Sequence, residues 1–446
     1  MKFTPKALVV ALSFPILTSQ ALAGPHNFGD ARSIAMGGTG VASATPTGAS
    51  FFNPALVASR HDDSRDDFGL ILPSINARAA DKEEVVDRIT DYQDSGTFET
   101  FQNAIKALNA NPNNTAAALT VVAAAEQFNR DLAALNQDAV RGEFGLGTAV
   151  IIPGQKLGIG VFINGTIKGT SSVNYNDQEL YEFYRDEALK IAAGAPDALD
   201  KLPDLETSNP NNDPNVKTIS SDGAVIAAGK AEIGITLARE FEIGDRRYAF
   251  GVSPKLQTFR AYDYVANVET FDEDDFDAGD YESEETAFNL DIGIATHFGD
   301  SNQWTIGFSG MNIIPVEINT ADASEVARQG RGRIIKIDPL YRVGVSHSSE
   351  WHTVAVDLDL TKNKAFGFED DTQFLSIGGE LNGLDFMQVR AGIRQNLADN
   401  NGREGVQEDT IFTAGLGFSP FGVHFDITGV FADGEVGAAA ELGFTF

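Results

Sequence analysis

The closing residues, Ala438-Ala439-Ala440-Glu441-Leu442-Gly443-Phe444-Thr445-Phe446, sort by alternate positions into two faces. Ala438, Ala440, Leu442, Phe444 and Phe446 are apolar, whereas Ala439, Glu441, Gly443 and Thr445 are small or polar. A period of two is that of a β-strand. The segment therefore predicts a final strand with one apolar and one polar face, ending on a phenylalanine.

The same alternation recurs on moving back through the chain. Val423, Phe425, Ile427 and Phe431 oppose His424, Asp426 and Thr428, and Phe412, Ala414, Leu416 and Phe418 form the next apolar face. Met387, Val389, Ala391 and Ile393 oppose Gln388, Arg390 and Arg394, while Val354, Val356, Leu358 and Leu360 oppose Thr353, Asp357, Asp359 and Thr361. In a membrane barrel such an apolar face meets lipid and the polar face meets the lumen. Strands are predicted near 67–78, 143–153, 156–170, 222–241, 246–268, 284–298, 303–319, 332–347, 351–362, 372–382, 385–396, 408–419, 422–432 and 435–446. That makes fourteen, an even number, as single-chain bacterial barrels have. Short turns such as Pro153-Gly154-Gln155, Ser348-Ser349-Glu350 and Asn382-Gly383-Leu384 alternate with longer connections. The prediction is an all-β, 14-stranded antiparallel transmembrane barrel with periplasmic turns and long outer loops.

Composition agrees with this class. The chain of 446 residues has 44 Gly, no Cys and a formal net charge of −31. The acidity argues against nucleic acid as a partner and against polybasic lipid binding. The lack of Cys excludes disulfides, thiolate metal sites and thiol redox chemistry. Residues 1–23 read as a signal peptide: Lys2 and Lys6 lead an apolar run that ends in Ala21-Leu22-Ala23. That run is too short to span a bilayer. Export and the strand pattern together predict the bacterial outer membrane. Expected surroundings are outer-membrane lipid and lipopolysaccharide, with delivery by the barrel-assembly machinery.

Two insertions interrupt the strands, at about 81–142 and 171–221, in the first two outer loops. Val85, Ile89 and Tyr92 share a helical face, as do Phe98, Phe101, Ile105 and Leu108, and Val121, Ala125, Phe128, Leu132 and Leu135. These stripes predict helix-on-helix or helix-on-rim packing. The outer helices are also the place for a protein partner or a small hydrophobic ligand. The acidic run Asp272-Glu273-Asp274-Asp275-Phe276-Asp277 lacks the spacing of a calcium loop and reads as a solvated outer loop.

Residues 24–60 precede the first strand and differ in kind from the barrel, 61–446. Phe28 to Ala58 is rich in Gly, Ala, Ser and Thr and shows neither the helix nor the strand period. A fourteen-stranded wall leaves a lumen that must be wet or filled. This segment is predicted to fill it as a plug, or hatch. Gly37, Gly38 and Gly40 would allow close packing, Arg32 would meet lumen charges, and Asn53-Pro54 would fix the turn into the first strand. The lumen-facing charges Asp357, Asp359, Glu380, Arg390, Arg394, His424, Asp426 and Glu441 are expected to pair across strands, holding the wall and anchoring the plug. No serine-hydrolase elbow, zinc-protease motif or phosphate loop is present in the sequence. The expectation is a non-enzyme without cofactor or metal.

Ala31-Arg32-Ser33-Ile34-Ala35-Met36-Gly37-Gly38-Thr39-Gly40-Val41-Ala42, followed by Phe52-Asn53-Pro54-Ala55, resembles the N-terminus of the FadL-like outer-membrane superfamily. That group includes fatty acid and hydrocarbon transporters and PorV-type secretion accessory proteins. Asp357-Leu358-Asp359-Leu360-Thr361-Lys362-Asn363 and Arg390-Ala391-Gly392-Ile393-Arg394-Gln395-Asn396-Leu397 are similar to its branch named for conjugal transfer protein TraF. The resemblance implies a fourteen-stranded barrel with an N-terminal hatch and passive transport of small hydrophobic molecules. The alternative it implies is a non-transporting barrel serving as scaffold or as secretion or conjugation accessory. In such barrels a last strand ending in Phe, here Phe444 and Phe446, is the assembly signal.

Overall fold

The computed structural model describes residues 29–446 except 59–67, 83, 137–138, 210, 245, 270–277, 325, 327–331, 385, 401–405 and 408–409. The signal peptide, residues 24–28 and 59–60 of the plug segment, and the acidic run 272–277 lie outside the described residues.

The wall is a closed barrel of fourteen antiparallel strands. In chain order these are β1 Gly69–Ala80, β2 Ala139–Ile152, β3 Gly158–Asn174, β6 Asp222–Ile243, β7 Arg246–Asn267, β8 Glu282–Phe298, β9 Trp304–Met311, β12 Leu340–Ser348, β13 His352–Asp359, β14 Phe374–Leu384, β15 Met387–Asn396, β16 Ile411–Phe418, β17 Val423–Ala432 and β18 Glu435–Thr445. Two further pairs lie in loops: β4 Asp204–Glu206 with β5 Val216–Thr218, and β10 Val316–Asn319 with β11 Ile334–Ile337. Each barrel strand pairs with its sequence neighbour in the wall, and β1 closes the ring on β18 from Gly69↔Thr445 to Ala80↔Glu435. Closure leaves no strand edge unpaired. β1 bulges between Ile71 and Ser74 against both neighbours, at Leu72-Pro73, where proline has no N–H to give to a ladder.

Side chains divide as the alternation requires. Ile163, Phe288, Val354, Phe412 and Phe431 point outward and are about half exposed, on a surface that belongs in lipid. Ser253, Asn289, Asp291, Asp357 and Ser376, at inward positions of β7, β8, β13 and β14, are buried inside. Among the described residues no helix is long and apolar enough to cross a membrane. The molecule crosses with strands.

Strands β6 and β7 are each 22 residues long, about twice what a tilted membrane strand needs. They carry the wall beyond the bilayer to meet the helical cap, formed by α2 Val85–Ser95, α3 Thr97–Ala110, α4 Thr115–Ala133 and α5 Gln178–Ala193; α1 is the plug helix described below. The cap has its own core. Phe101 packs 5.4 Å from Phe128 and 5.2 Å from Tyr184, ring centre to ring centre, with Ile105, Leu108, Val121 and Leu132 around them. Asn111-Pro112-Asn113-Asn114 separates α3 from α4, and the Asn114 side chain accepts from the backbone N–H groups of Ala116 and Ala117. Tyr92 donates its hydroxyl hydrogen to Glu269, which follows β7.

Two predicted strands need correction. The ranges 303–319 and 332–347 each join a wall strand to a loop strand: β9 stops at Met311 and β12 begins at Leu340. Between them the β10–β11 hairpin folds into the mouth, burying Val316, Ile318, Ile335 and Ile337 against Ile226 and Phe259 of the wall. An alternating hairpin inside the mouth has the same period as one in the wall, so the pattern alone does not separate them.

Candidate functional site, the plugged lumen

Residues 29–58 run inside the wall. Helix α1, Ala31–Ala35, is capped by the Asp30 side chain, which accepts from Ser33 N at 2.7 Å. It ends at Met36, and Gly37 and Gly38 then take φ of +70° and +81°, the left-handed backbone in which glycine carries no Cβ penalty. Two 3-10 turns follow, Ala49–Phe51 and Pro54–Val57. The connection into the first strand, 59–67, lies outside the described residues, and within them Asn53 stands at the head of the second 3-10 turn. Its Oδ1 caps the second 3-10 turn through Ala55 N, and its Nδ2 donates to Val41 O at 2.7 Å and to the wall at Ile294 O at 3.3 Å. Pro54 occupies the first helical position, where a missing N–H costs nothing.

The plug is fastened to the wall around its circumference. Asp357 of β13 accepts from Gly40 N at 2.7 Å and Val41 N at 2.9 Å. Thr413 of β16 accepts from Gly37 N at 3.0 Å and donates to Ala35 O at 2.9 Å. Thr428 of β17 donates to Ala31 O, and Ser346 of β12 to Ala42 O. Glu441 of β18 accepts from Ala31 N at 3.3 Å. Backbone lies against backbone because the wall presents glycine at the contact points. A Cβ built on Gly378 would stand 2.2 Å from Met36 O, and one on Gly392 would stand 2.1 Å from Gly37 N. Gly251 and Gly307 meet plug backbone in the same way at Ala55 and Val41, and Gly293 meets the side-chain oxygen of Asn53.

The predicted charges fall into separate groups. Arg32 meets Glu380 through two bonds, Nε to Oε2 at 2.9 Å and Nη2 to Oε1 at 3.1 Å, and its Nη1 donates to Ser43 O. Glu380 also accepts from Arg390 at 2.6 Å, and Arg390 pairs with Asp426 two strands away. Asp359 pairs with Arg342 of β12 at 3.0 Å, and Arg342 also donates to Gly38 O. Arg394 lies over the Phe374 ring at 3.5 Å. His424 shares a 3.1 Å contact with Ser419 at the short-turn end and lines the same space as Glu380, Asp426 and Glu441. Phe444 and Phe446 stack at the end of β18, and the backbone of Phe446 exchanges two hydrogen bonds with Phe68.

Thr428, read from the sequence as inward-facing, belongs to the plug attachment, and so do Arg342, Ser346 and Thr413, which were not singled out there. All four sit on inward positions of their strands, which is the signal that could have found the last three. A second buried network was likewise missed. Lys255 bridges Glu232 at 3.1 Å and Asp291 at 2.8 Å, Lys230 joins Glu232 at 3.2 Å, and Gln257 and Asn164 bond the same carboxylate.

The plug separates two spaces. On its outer side a cavity of about 170 Å³ is lined by Ile34, Phe51, Phe52, Phe144 and Ile167 together with Arg78, Glu143, Lys168 and Arg394. On the short-turn side a vestibule of about 470 Å³ is lined by Asp30, Arg32, Glu380, Arg390, Asp426 and Glu441.

A closed fourteen-stranded wall, apolar outside and filled by an N-terminal plug, defines an outer-membrane β-barrel of bacteria. Two solved structures share the architecture. The TodX deltaS2S3 mutant monoaromatic hydrocarbon channel superposes with a TM-score of 0.50 at 10% identity, covering 94% of this chain and 99% of that one. A Pseudomonas aeruginosa FadL homologue gives 0.50 at 11% identity, covering 96% and 99%. No curated protein sequence matches the chain. The chain belongs to the family described as F plasmid transfer operon, TraF, protein, whose model matches residues 50–359.

Proposed function

We propose that this barrel carries small hydrophobic molecules passively across the outer membrane, with residues 29–58 as the hatch. The observation that carries the reading is the plug itself. It lies between two cavities and is held to the wall by hydrogen bonds and ion pairs that can open and re-form. Phe51, Phe52, Phe144, Ile34 and Ile167 give the outer cavity an apolar side suited to such a cargo. The architecture shared with a hydrocarbon channel and a FadL homologue supports the same reading. The chain would sit among outer-membrane lipid and lipopolysaccharide, placed there by the barrel-assembly machinery reading the strand that ends in Phe444 and Phe446.

The second reading is a non-transporting scaffold or accessory. The separate core of the α2–α5 cap favours it, since a self-supporting domain over the mouth offers a rigid face to a protein partner. Extraction into lipid nanodiscs followed by mass spectrometry of co-purified molecules separates the two. An apolar small molecule recovered from the wild type, and lost on widening the cavity contacts with Phe52→Ala, supports transport. Its repeated absence together with a stoichiometric protein partner overturns it in favour of the scaffold.

A further inference from the structure

The segment between β13 and β14, residues 360–373, does not stand out from the rim. Its base is pinned by paired backbone bonds between Asn363 and Thr372, at 2.8 and 2.9 Å, and by Lys362 to Asp371 at 2.8 Å. Its tip crosses to the far side of the ring. Phe366 is buried against Ile226 and Phe259 of β6 and β7, beside the β10–β11 hairpin. Gly367, at φ +58°, lies so close to β3 that a Cβ would stand 2.1 Å from Thr170 Oγ1. Phe368 N donates to that hydroxyl at 3.3 Å. Glu369, nearly fully buried, meets Arg141 of β2 at 3.3 Å and Lys168 of β3. Lys168 and Arg78 hold Glu143 at 2.9 Å each, and Arg78 holds Glu435 at 2.9 Å, so the tip joins a ring of charges shared by β1, β2, β3 and β18.

β13 and β14 lie opposite β2 and β3 in the closed ring. A loop rooted on one side and ion-paired on the other spans the lumen. The cavity of about 170 Å³ lies between this span and the plug, since its lining includes Asn363, Lys168 and Glu143 on one side and Gly29, Ile34, Phe51 and Phe52 on the other.

We infer that residues 360–373 are a second closure, a strap clasped by Glu369 on Arg141 and Lys168, and that the outer cavity is a chamber shut at both ends. Passage then requires two separate openings, the strap from outside and the plug from the periplasm. A buried carboxylate between two cations is a strong clasp only while both sides keep their charge, and breaking one side leaves uncompensated charge. The inference stands whichever molecule uses the barrel, and it holds equally for a scaffold whose lumen must stay sealed.

The chain has no native cysteine, so the test reads one introduced thiol. Val430→Cys, on the chamber wall, is labelled by a membrane-impermeant methanethiosulfonate added outside the cell, with the plug intact. The expected rate is slow in the parent. It rises by about tenfold or more in Glu369→Lys, the factor that losing a charge-assisted contact gives to an opening equilibrium. A Cβ on Gly367 would lie 3.4 Å from Thr170 Cβ, close to the separation of a disulfide. Oxidised Gly367→Cys/Thr170→Cys added to Glu369→Lys should therefore restore slow labelling until it is reduced. Heat-modifiable gel mobility confirms each barrel is folded. In planar bilayers, deletion of 27–58 alone should stay poorly conducting, and conductance should appear when 364–370 is removed as well. Fast labelling of the parent, an unchanged rate in Glu369→Lys, or full conductance on plug deletion alone would each overturn the strap.

Discussion

Arg32 of the plug and Glu380 of the wall, 348 residues apart in sequence, meet through two parallel hydrogen bonds of 2.9 and 3.1 Å. Glu380 is buried and Arg32 largely so, and Glu380 is shared with Arg390. Its geometry makes the two partners unequal. Glu380→Ala strips a counter-charge from two guanidinium groups at once, a loss on the order of 3–5 kcal/mol for a buried pair. Arg32→Ala leaves Glu380 still held by Arg390. Hydrogen exchange of Ala31–Met36 should therefore accelerate more in Glu380→Ala than in Arg32→Ala. Equal rates, or the reverse order, would remove Glu380 from its place as the anchor.

The glycine contacts make a sharper prediction because they have an internal control. Gly378→Ala and Gly392→Ala would drive a methyl group into plug backbone, and overpacking of this kind costs about 1–3 kcal/mol. Gly379 is adjacent, but a Cβ there finds its nearest neighbour at 3.9 Å. Protease cleavage within 29–58 from the periplasmic face should rise for Gly378→Ala and Gly392→Ala and stay at the parent level for Gly379→Ala.

The cap supplies the pH dependence. Burial holds the Glu269 carboxyl above the usual carboxylate range, and Tyr92 donates to it. A carboxyl raised in the folded cap binds its proton more readily there than in the unfolded loop. Stability from this site is full below the ordinary Glu range and declines as pH climbs through the raised value. Limited proteolysis of 84–110 should be slower at pH 4 than at pH 8. Glu269→Gln, which cannot ionise, should flatten the difference; a wild-type slope persisting in that variant would assign the effect elsewhere.

Phe101 is fully buried between Phe128 and Tyr184. Phe101→Ala should destabilise the cap by about 3–5 kcal/mol, the range for deleting a buried aromatic ring. The barrel strands do not depend on that ring. The expected result is rapid cleavage in α2–α5 with heat-modifiable mobility preserved, and loss of both together would show that cap and wall fold as one unit.

The wall was legible in the sequence because lipid outside and polar lumen inside impose a period of two on every strand. Phe412, Leu416 and Phe418 carry that pattern as plainly as the terminal segment does. The cap helices were legible for the same kind of reason, at a period of 3.6. What the pattern could not convey was the inside of the ring. Asp357 and Glu380 read correctly as inward charges, yet the partners that define their work, Gly40, Val41 and Arg32, lie more than three hundred residues earlier. Glu369 finds its partners only because its loop crosses the ring to β2 and β3, whereas Lys255 meets Glu232 and Asp291 on the adjoining strands β6 and β8. Asn53 carried a turn signal, and the contacts that make it both the cap of a 3-10 turn and a tether to the wall at Ile294 are not visible in the local sequence.

Ala31 N reaches Glu441, 410 residues further along the chain. The plug comes before the first strand, and β18 is the last to arrive. The strand that closes the ring on β1 is therefore also one of those that hold the plug, so sealing the wall and seating its contents share one element. The barrel resembles a cask whose closing stave also grips the stopper.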